Sequence, residues 1–399
     1  GHGDEDVGPT VASTFHRMSN SEPVRGFPAL KHTLNLDKMM TGALRRWEAE
    51  ARPEGAKPLG SGVVLTDYGV AGAVAFDCSD DIRYCSDWQR WSAWADKVWR
   101  HDDTHKANGF VVEALRKMRS NLPPGDDEKS REKKVKALLG METRAKTESI
   151  LTFMEGDLEV RADQFDADPW LYNLQNVIID LRTHAVERHS PSRLLVSLSA
   201  ATYDPSVEAP IFTKFVSEMF PDDDIRNFVQ TFFGYSLTGL VREHIFPILH
   251  GPGANGKSTL LGAMMDMHGT YAGPIPSAVV TMSRNKQDRH PTELAAFYRK
   301  RLAVTSESEQ GKRLDESAVK MLTGGDTISV RQMREDPWDL RPTHKLVLMT
   351  NYVPQVWGHD EGIWRRLIFV PCERQFVGAK DNKNLREQLR GELSGIFNW

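Results

Sequence analysis

The sequence predicts an α/β protein with a central parallel sheet in residues 241–399, a helical domain in 151–240 and a partly helical region in 1–150 that could serve as a collar or linker. Three observations support this class. Residues 241–399 alternate short apolar runs with helical segments, as strand–helix units do. A glycine-rich loop separates the first apolar run from the first helix. The region before it has longer helical periodicity with capping residues.

The size and composition indicate a folded protein with more than one domain. At 399 residues the chain exceeds what one core usually holds, so two or three domains are expected. Hydrophobic residues make up 40% and charged residues 27%, which argues against wholesale disorder. No run approaches the roughly 18 consecutive apolar residues of a membrane span, and no signal peptide is visible. We therefore expect a cytoplasmic protein without membrane contact.

Charge and cysteine content restrict the classes of binding site. A net charge of -4 argues against a surface coated with phosphate-binding charge, so any nucleic acid would be held locally. Cys78, Cys85 and Cys372 form no CxxC pair and have no histidine at metal-ligand spacing. They are predicted to be reduced, structural residues.

The region 1–150 gives weaker predictions. Residues 36–52 have helical periodicity and end before Pro53. The four tryptophans that follow are predicted to form a core stripe, with a base-stacking platform as the alternative. A small group of histidines and aspartates could ligate a metal, although such clusters usually lie in a solvated turn. These residues are Trp88, Trp91, Trp94 and Trp99, and His101, Asp102, Asp103 and His105.

The region 151–240 contains two clear helical segments, at residues 210–220 and 223–239. The second has an acidic start at Asp222 to Asp224 and a glycine stop at Gly239, as capping and the helix dipole require.

The strongest motif is GPGANGKS at residues 251–258, which fits G-x-x-x-x-G-K-[ST]. The run Ile245–Leu249 predicts the strand before it, and Ser258–Met267 predicts a helix whose N-terminal amides would face phosphates. Lys257 would reach the β and γ phosphates of ATP, and Ser258 would ligate Mg²⁺. A structural glycine turn is the alternative. The predicted nucleotide-binding residues are Gly251, Pro252, Gly253, Ala254, Asn255, Gly256, Lys257, Ser258 and Thr259.

Polar residues at the ends of two later strands complete the predicted catalytic set. The run Leu302–Val304 leads to Glu307 and Glu309, which could present carboxylates to magnesium and to the attacking water. Glu307 is the candidate metal ligand beside Ser258, while exposed surface acids would look similar. The later strand KLVLMTN ends at Asn351, whose amide could orient the water. An ordinary strand-capping asparagine is the alternative.

Two arginines precede the last strand, in GIWRRLIFVP. A guanidinium supplied by a neighbouring subunit can stabilise the charge that builds on a transferred phosphoryl group, so Arg365 or Arg366 would require an oligomer. Either arginine could instead be a salt-bridged structural residue.

A GTPase is the competing class, because residues 285–288 spell the guanine-reading pattern N-K-x-D. The only D-x-x-G, at Asp266 to Gly269, lies within the helix after the phosphate loop and cannot reach the γ phosphate. The N-K-x-D also follows the loop too closely for the strands that a GTPase needs between them. An ATPase motor is therefore the preferred interpretation.

The order of these blocks resembles the superfamily 3 helicases, specifically the helicase portion of phage, plasmid and poxvirus primase-helicases. GPGANGKST resembles their Walker A, RLAVTSESE their Walker B, KMLTGGDTISVRQMREDPWDLRPT their B-prime element and KLVLMTN their motif C, followed by the arginine-finger segment GIWRRL. The likeness covers residues 150–399 strongly. It implies an AAA+ type ATPase domain, with Glu307 standing where many relatives carry paired aspartates.

The resemblance also implies a mechanism and partners. Residues 327–341 are predicted to form two strands joined by a turn, and in the family this hairpin contacts DNA in the pore of a ring, so Arg331 and Arg334 are candidate phosphate contacts. The implied function is ATP- and Mg²⁺-dependent translocation on single-stranded DNA, with unwinding of fork DNA by a homohexamer during replication of a phage or mobile element. A primase domain or protein would be a partner, and the location would be a bacterial host cytoplasm if the chain is phage-encoded. The alternative is a nucleotide-gated DNA-binding initiator or loader that does not unwind DNA.

Overall fold

The structure is a computed structural model, and contacts within it divide the chain into two compact units. Among the described residues, the first comprises 168–188 and 197–399, and the second comprises 63–167 and 189–196. The structure describes residues 63–122, 127–282, 291–307, 309–331, 338–358, 360–378 and 382–399. The helix predicted at 36–52 lies outside the described residues.

The second unit packs four helices with a small mixed sheet. Strands β1, β2 and β3 form an antiparallel meander, and β4 pairs in parallel with β1, which gives the order β3-β2-β1-β4. A core of buried aliphatic residues lies mainly among the helices. The elements are α1 (Asp67–Asp77), β1 (Ile82–Cys85), β2 (Arg90–Ala95), β3 (Val98–His101), α2 (Lys106–Ser120), α3 (Glu128–Met141), α4 (Arg144–Asp157) and β4 (Glu159–Val160).

The tryptophans of this unit pack against its two buried clusters, as a role in the core predicts, although only Trp99 is buried itself. Trp99 is almost fully buried and its indole N–H donates to the Pro191 carbonyl oxygen at 2.9 Å. The Trp94 ring packs on it at 5.6 Å between centroids, and Trp88 stacks on Phe165 at 5.3 Å. The neighbouring Asp102 accepts hydrogen bonds from two backbone amides at the start of α2, so it stabilises a turn. No metal-ligating cluster exists among the described residues.

The first unit is built around a five-stranded sheet in which every pairing is parallel. Numbered by their order along the chain, the five strands lie side by side in the sheet in the order fifth, first, fourth, third, second. This confirms the predicted α/β class with a central parallel sheet. The strands are β8 (Phe246–His250), β9 (Ala272–Ile275), β10 (Leu302–Glu307), β13 (Lys345–Thr350) and β14 (Leu367–Pro371), and the order is β14-β8-β13-β10-β9.

Two smaller sheets and eight helices of four or more residues complete the described part of this unit. One sheet is an antiparallel meander and the other is the two-stranded hairpin predicted from the sequence. The elements are β5 (Leu171–Asn173), β6 (Ile178–Asp180), β7 (Val186–Glu187), α5 (Pro210–Met219), α6 (Asp223–Ser236), α7 (Lys257–His268), α8 (Pro291–Leu294), α9 (Glu316–Gly324), β11 (Ile328–Val330), β12 (Trp338–Leu340), α10 (Glu361–Trp364), α11 (Leu385–Arg390) and α12 (Leu393–Asn398).

The helices α5 and α6 confirm the two segments predicted in region 151–240. Asp222 caps α6 by accepting from the amides of Asp224 and Ile225, while the helix ends at Ser236, three residues before the predicted stop at Gly239. At Gly239 the constraint is close approach instead, since a Cβ there would lie 3.0 Å from the Pro169 side chain.

The compact units differ from the predicted boundaries at 150 and 240, because α5 and α6 share one apolar core with the parallel sheet. The four-stranded sheet of the second unit was not predicted either, because its strands are short and their aromatic residues were assigned to a helical region.

All three cysteines are buried and none is in a disulfide, as predicted. In the part of the chain that the structure covers, no helix is long and apolar enough to cross a bilayer.

Two buried histidines make the first unit sensitive to acid. Burial, reinforced by the nearby Lys345, lowers the pKa of His268 and of His344 to about 3. In the unfolded chain a histidine binds a proton below about pH 6.5, so between pH 6.5 and 3 the unfolded state holds more protons than the folded state. Folding stability therefore falls as the pH drops through this window.

We expect the free energy of unfolding to be lower at pH 5 than at pH 7 by about 2 kcal/mol for each of these histidines. Urea titrations at the two pH values measure the difference. In His268→Gln the loss should be smaller by one such increment, because that site no longer titrates. An unchanged pH dependence in the variant would contradict the assignment.

Candidate nucleotide site

The glycine-rich loop lies between β8 and α7 and depends on two glycines. Gly251 has φ 153°, and a Cβ there would overlap the carbonyl oxygen of Cys372. Gly256 has φ 78°, in the left-handed region, and a Cβ there would lie 2.9 Å from the Phe215 ring. Both positions therefore need the smallest residue, which lets the loop turn tightly into the helix. Among the described residues, no side chain caps the amides at the start of α7, which begins directly after Gly256.

The Lys257 ammonium group is held by the loop itself. Its Nζ donates to the Gly251 carbonyl oxygen at 2.7 Å and to the Asn255 Oδ1 at 2.6 Å. Asn255 in turn donates from Nδ2 to the Cys372 carbonyl oxygen at 2.6 Å. Only 6% of Lys257 is exposed, and burial lowers its pKa. The ammonium group is therefore held in one position within the loop, where an anionic ligand of the loop would meet it.

The chain that follows β14 supports the loop, which no sequence motif indicated. The amide of Phe376 donates to the Ala254 carbonyl oxygen at 2.7 Å, and Gln375 Nε2 donates to the Gly253 carbonyl oxygen at 3.2 Å. Cys372 N–H also donates to His250 O at 2.7 Å. These contacts join the last strand of the sheet to the phosphate loop. The only available signal was proximity to the end of a predicted strand.

The predicted catalytic residues of β10 and β13 reach the same edge of the sheet as the loop. Glu307 pairs in register with Thr350, and Thr350 pairs with His250, the last residue before the loop. Asn351 follows Thr350 directly and its side chain is exposed. Because the carboxyl ends of parallel strands meet at one edge, Asn351 lies between the loop strand and the Glu307 strand.

Glu307 and Glu309 occupy different environments. Glu307 is the last residue of β10 and half-buried, and its Oε1 accepts from the Glu309 amide at 2.9 Å. Glu309 lies beyond the strand, is exposed and pairs with Lys312 at 3.1 Å. Ser258 Oγ donates to the sulfur of Met349 on β13 at 3.7 Å, so the start of α7 lies against the strand that ends near Asn351. Ser258 and Glu307 thus both lie at the loop edge of the sheet, whereas Glu309 lies beyond the end of its strand.

The two candidate arginine-finger residues differ in their exposure to solvent. Arg366 is 8% exposed, and its guanidinium donates to Thr323 Oγ1 at 3.1 Å and to the Gly362 carbonyl oxygen. It is held within its own chain. Arg365 is exposed. Both precede β14, whose first residue Leu367 pairs with Phe246 at the start of β8.

Arg365 therefore lies at the amino-terminal edge of the sheet, opposite the phosphate loop of its own chain. A five-residue strand spans about 16 Å, so Arg365 and the phosphate loop lie at opposite ends of the strands, separated by about that distance. This placement leaves Arg365 available to another molecule.

The hairpin β11–β12 pairs Ile328 with Leu340 and Val330 with Trp338. Arg331 follows β11 and is exposed. Arg334 and the turn lie outside the described residues, and so does the N-K-x-D at 285–288. Asp266 lies in α7, as expected, and contacts Arg390 and Arg386 at 2.9 and 3.6 Å. Its carboxylate is therefore paired with two arginines of α11.

Comparisons with known proteins agree with this geometry. Residues 73–221 match the D5 N terminal like family model, and residues 249–366 match a family of unknown function, DUF5906. The chain is 30% identical over 163 residues to the putative helicase L207/L206 of Acanthamoeba polyphaga mimivirus, covering 41% of this chain and 17% of that protein. The putative helicase 184R of Invertebrate iridescent virus 6 is 26% identical over 241 residues, covering 58% and 25%.

The chain is thus similar in sequence to putative helicases of large DNA viruses. Its fold is also similar to the apo structure of the NrS-1 C-terminal region, with a TM-score of 0.51 and 10% identity over 80% of this chain and 65% of that one. The resemblance predicted from the sequence is confirmed. The chain spans about a sixth to a quarter of the length of the two viral relatives.

Proposed function

We propose that the chain is an ATP-dependent DNA helicase of superfamily 3 that translocates on single-stranded DNA as a homohexameric ring. One observation carries this proposal: the phosphate loop, Glu307 and Asn351 share one edge of the sheet, while the exposed Arg365 lies at the other edge. A complete site then needs two protomers, one supplying the loop and one supplying the guanidinium. A head-to-tail ring satisfies this requirement at every interface.

ATP and Mg²⁺ fit the residues at the loop edge. The loop amides and the Lys257 ammonium group would hold the β and γ phosphates, and Ser258 with Glu307 would hold the metal. Bound magnesium would neutralise charge on the phosphate oxygens. Asn351 would orient the attacking water through its amide, and Arg365 of a neighbouring protomer would stabilise the charge of the transition state.

The hairpin is the proposed DNA contact. Arg331, exposed directly after β11, and Arg334, in the turn predicted from the sequence, would bind backbone phosphates. Contacts to phosphate carry no sequence information, which suits a motor that moves along any strand. Fork DNA would be the substrate and a primase domain or protein the partner, during replication of a virus, phage or mobile element.

A strand-displacement assay tests the proposal. With ATP and Mg²⁺, we expect the chain to release a labelled strand from a forked duplex and to hydrolyse ATP faster when single-stranded DNA is present. Replacement of ATP by a non-hydrolysable analogue should stop displacement. DNA-stimulated hydrolysis without displacement would instead support the nucleotide-gated loader.

A further inference from the structure

Helix α9 lies between the hairpin and the segment that joins Asn351 to Arg365. Polar residues on one face of α9 bind this segment. Glu316, Lys320 and Thr323 occupy positions i, i+4 and i+7, which lie on one side of a helix. Each of them bonds to the segment 357–366. That segment begins six residues after Asn351 and ends with Arg365 and Arg366.

The first contact is the closest. The Glu316 Oε1 accepts from the backbone amides of Trp357 at 3.0 Å and of Gly358 at 2.8 Å. A Cβ at position 358 would overlap the Glu316 carboxylate, so any larger residue there would displace the end of that side chain. The Arg313 guanidinium lies 4.1 Å from the Trp357 ring centroid on the same loop. The carboxylate therefore fixes the loop that follows Asn351 to the first turn of α9.

The next two turns hold the rest of the segment. Lys320 forms an ion pair with Asp360, which also caps α10 through the Gly362 amide at 2.6 Å. The Thr323 hydroxyl accepts from Arg366 Nε at 3.1 Å. Arg366 is thus the anchor that places the adjacent, exposed Arg365.

Helix α9 and the hairpin also contribute side chains to one buried cluster. Val319 and Leu322 belong to the same buried cluster as Val330 of β11, Leu340 of β12 and Ile363 of α10. Only three residues separate the end of α9 from β11, and Gly325 makes the turn with φ 80°. A displacement of α9 would therefore be passed to the hairpin through this short link and the shared buried cluster.

We infer that α9 is the element that couples nucleotide hydrolysis to movement of the hairpin, and that Glu316 is a positioning residue for this coupling. The inference rests on the proposed function. Loss of the Glu316 contacts would free the loop after Asn351 from α9 and leave the phosphate loop, Glu307 and Arg365 in place. Hydrolysis would then continue with weaker dependence on DNA.

The test measures the fold-stimulation of ATP hydrolysis by single-stranded DNA in the full chain. Glu316→Ala should reduce the stimulation roughly tenfold while the KM for ATP and the unstimulated rate stay close to those of the unaltered chain. Glu316→Gln should retain most of the stimulation, because its amide oxygen still accepts from both backbone amides. Ser317→Ala, at an exposed position of the same helix, is the matched control and should be fully stimulated.

A double-mutant cycle makes the test specific for the contact. Gly358→Ala should have the same effect as Glu316→Ala, because the new Cβ displaces the carboxylate. The double variant should be no worse than either single variant, since the shared contact is already lost. Lys320→Ala removes an ion pair between partly exposed side chains and should give a smaller loss in the same direction, without unfolding the protein.

Full stimulation in Glu316→Ala and in Lys320→Ala, or effects of Glu316→Ala and Gly358→Ala that multiply, would overturn the inference alone. Absence of DNA stimulation in the unaltered chain would overturn the proposed function and this inference with it.

Discussion

Lys257→Ala is expected to lower ATP hydrolysis by about 100- to 1,000-fold, because it removes the ammonium group that the phosphate loop holds in place. The Lys257 ammonium group is held by the Gly251 carbonyl and the Asn255 side chain, so it is already oriented before any phosphate arrives. Such preorganised groups cost little reorganisation when charge develops in the transition state. Steady-state hydrolysis with saturating ATP and Mg²⁺ measures the effect.

Lys214→Ala provides the matched control for this prediction. Lys214 lies on α5 in the same unit and is exposed, whereas its neighbour Phe215 is the residue that reaches the loop, so the variant removes an equal charge outside the loop contacts. Its hydrolysis rate and melting temperature should match those of the unaltered chain. Near-normal turnover in Lys257→Ala would show that the loop is a structural glycine turn.

Arg365→Ala should reduce hydrolysis by about 1,000-fold or more while the melting temperature stays unchanged. Arginines that stabilise a transferred phosphoryl group contribute effects of this size, and an exposed arginine contributes little to folding. ATP binding should persist, because the loop of the same chain is intact. Hydrolysis rates, nucleotide affinity and thermal melting together separate a loss of chemistry from a loss of structure.

Arg366→Ala gives the opposite pattern and serves as the contrast. The buried Arg366 guanidinium donates to Thr323 and Gly362, so its loss leaves buried acceptors without a donor and should cost about 1–3 kcal/mol of folding stability. If Arg365→Ala melted early and Arg366→Ala did not, the roles assigned to the two arginines would be reversed.

The phosphate loop could be predicted from sequence because its constraints are local. Gly251 and Gly256 are required by a backbone turn and by close approach, and strand and helix periodicity flank them on both sides. The meeting of Glu307 and Asn351 at one edge also followed from the sequence, since residues at the carboxyl ends of parallel strands share an edge.

Other features depend on contacts between distant segments, which no local pattern encodes. The support of the loop by Gln375 and Phe376 arises only once β14 lies beside β8. The difference between Arg365 and Arg366 depends on which side chain meets Thr323 of α9. The short strands β1 to β3 were missed because packing of their tryptophans decides their conformation.

The central claim is that a complete site forms between two protomers, and mixing two inactive variants tests it most directly. The two variants are mixed one to one. At some interfaces an Arg365→Ala protomer supplies the intact Lys257 and its Lys257→Ala neighbour supplies the intact Arg365. Such an interface contains a complete site. With random mixing this occurs at about a quarter of the interfaces of a head-to-tail ring. The account predicts that hydrolysis recovers toward that fraction of the unaltered rate after the two proteins are mixed with ATP and single-stranded DNA. A mixture that stays as inactive as its separate components would contradict it.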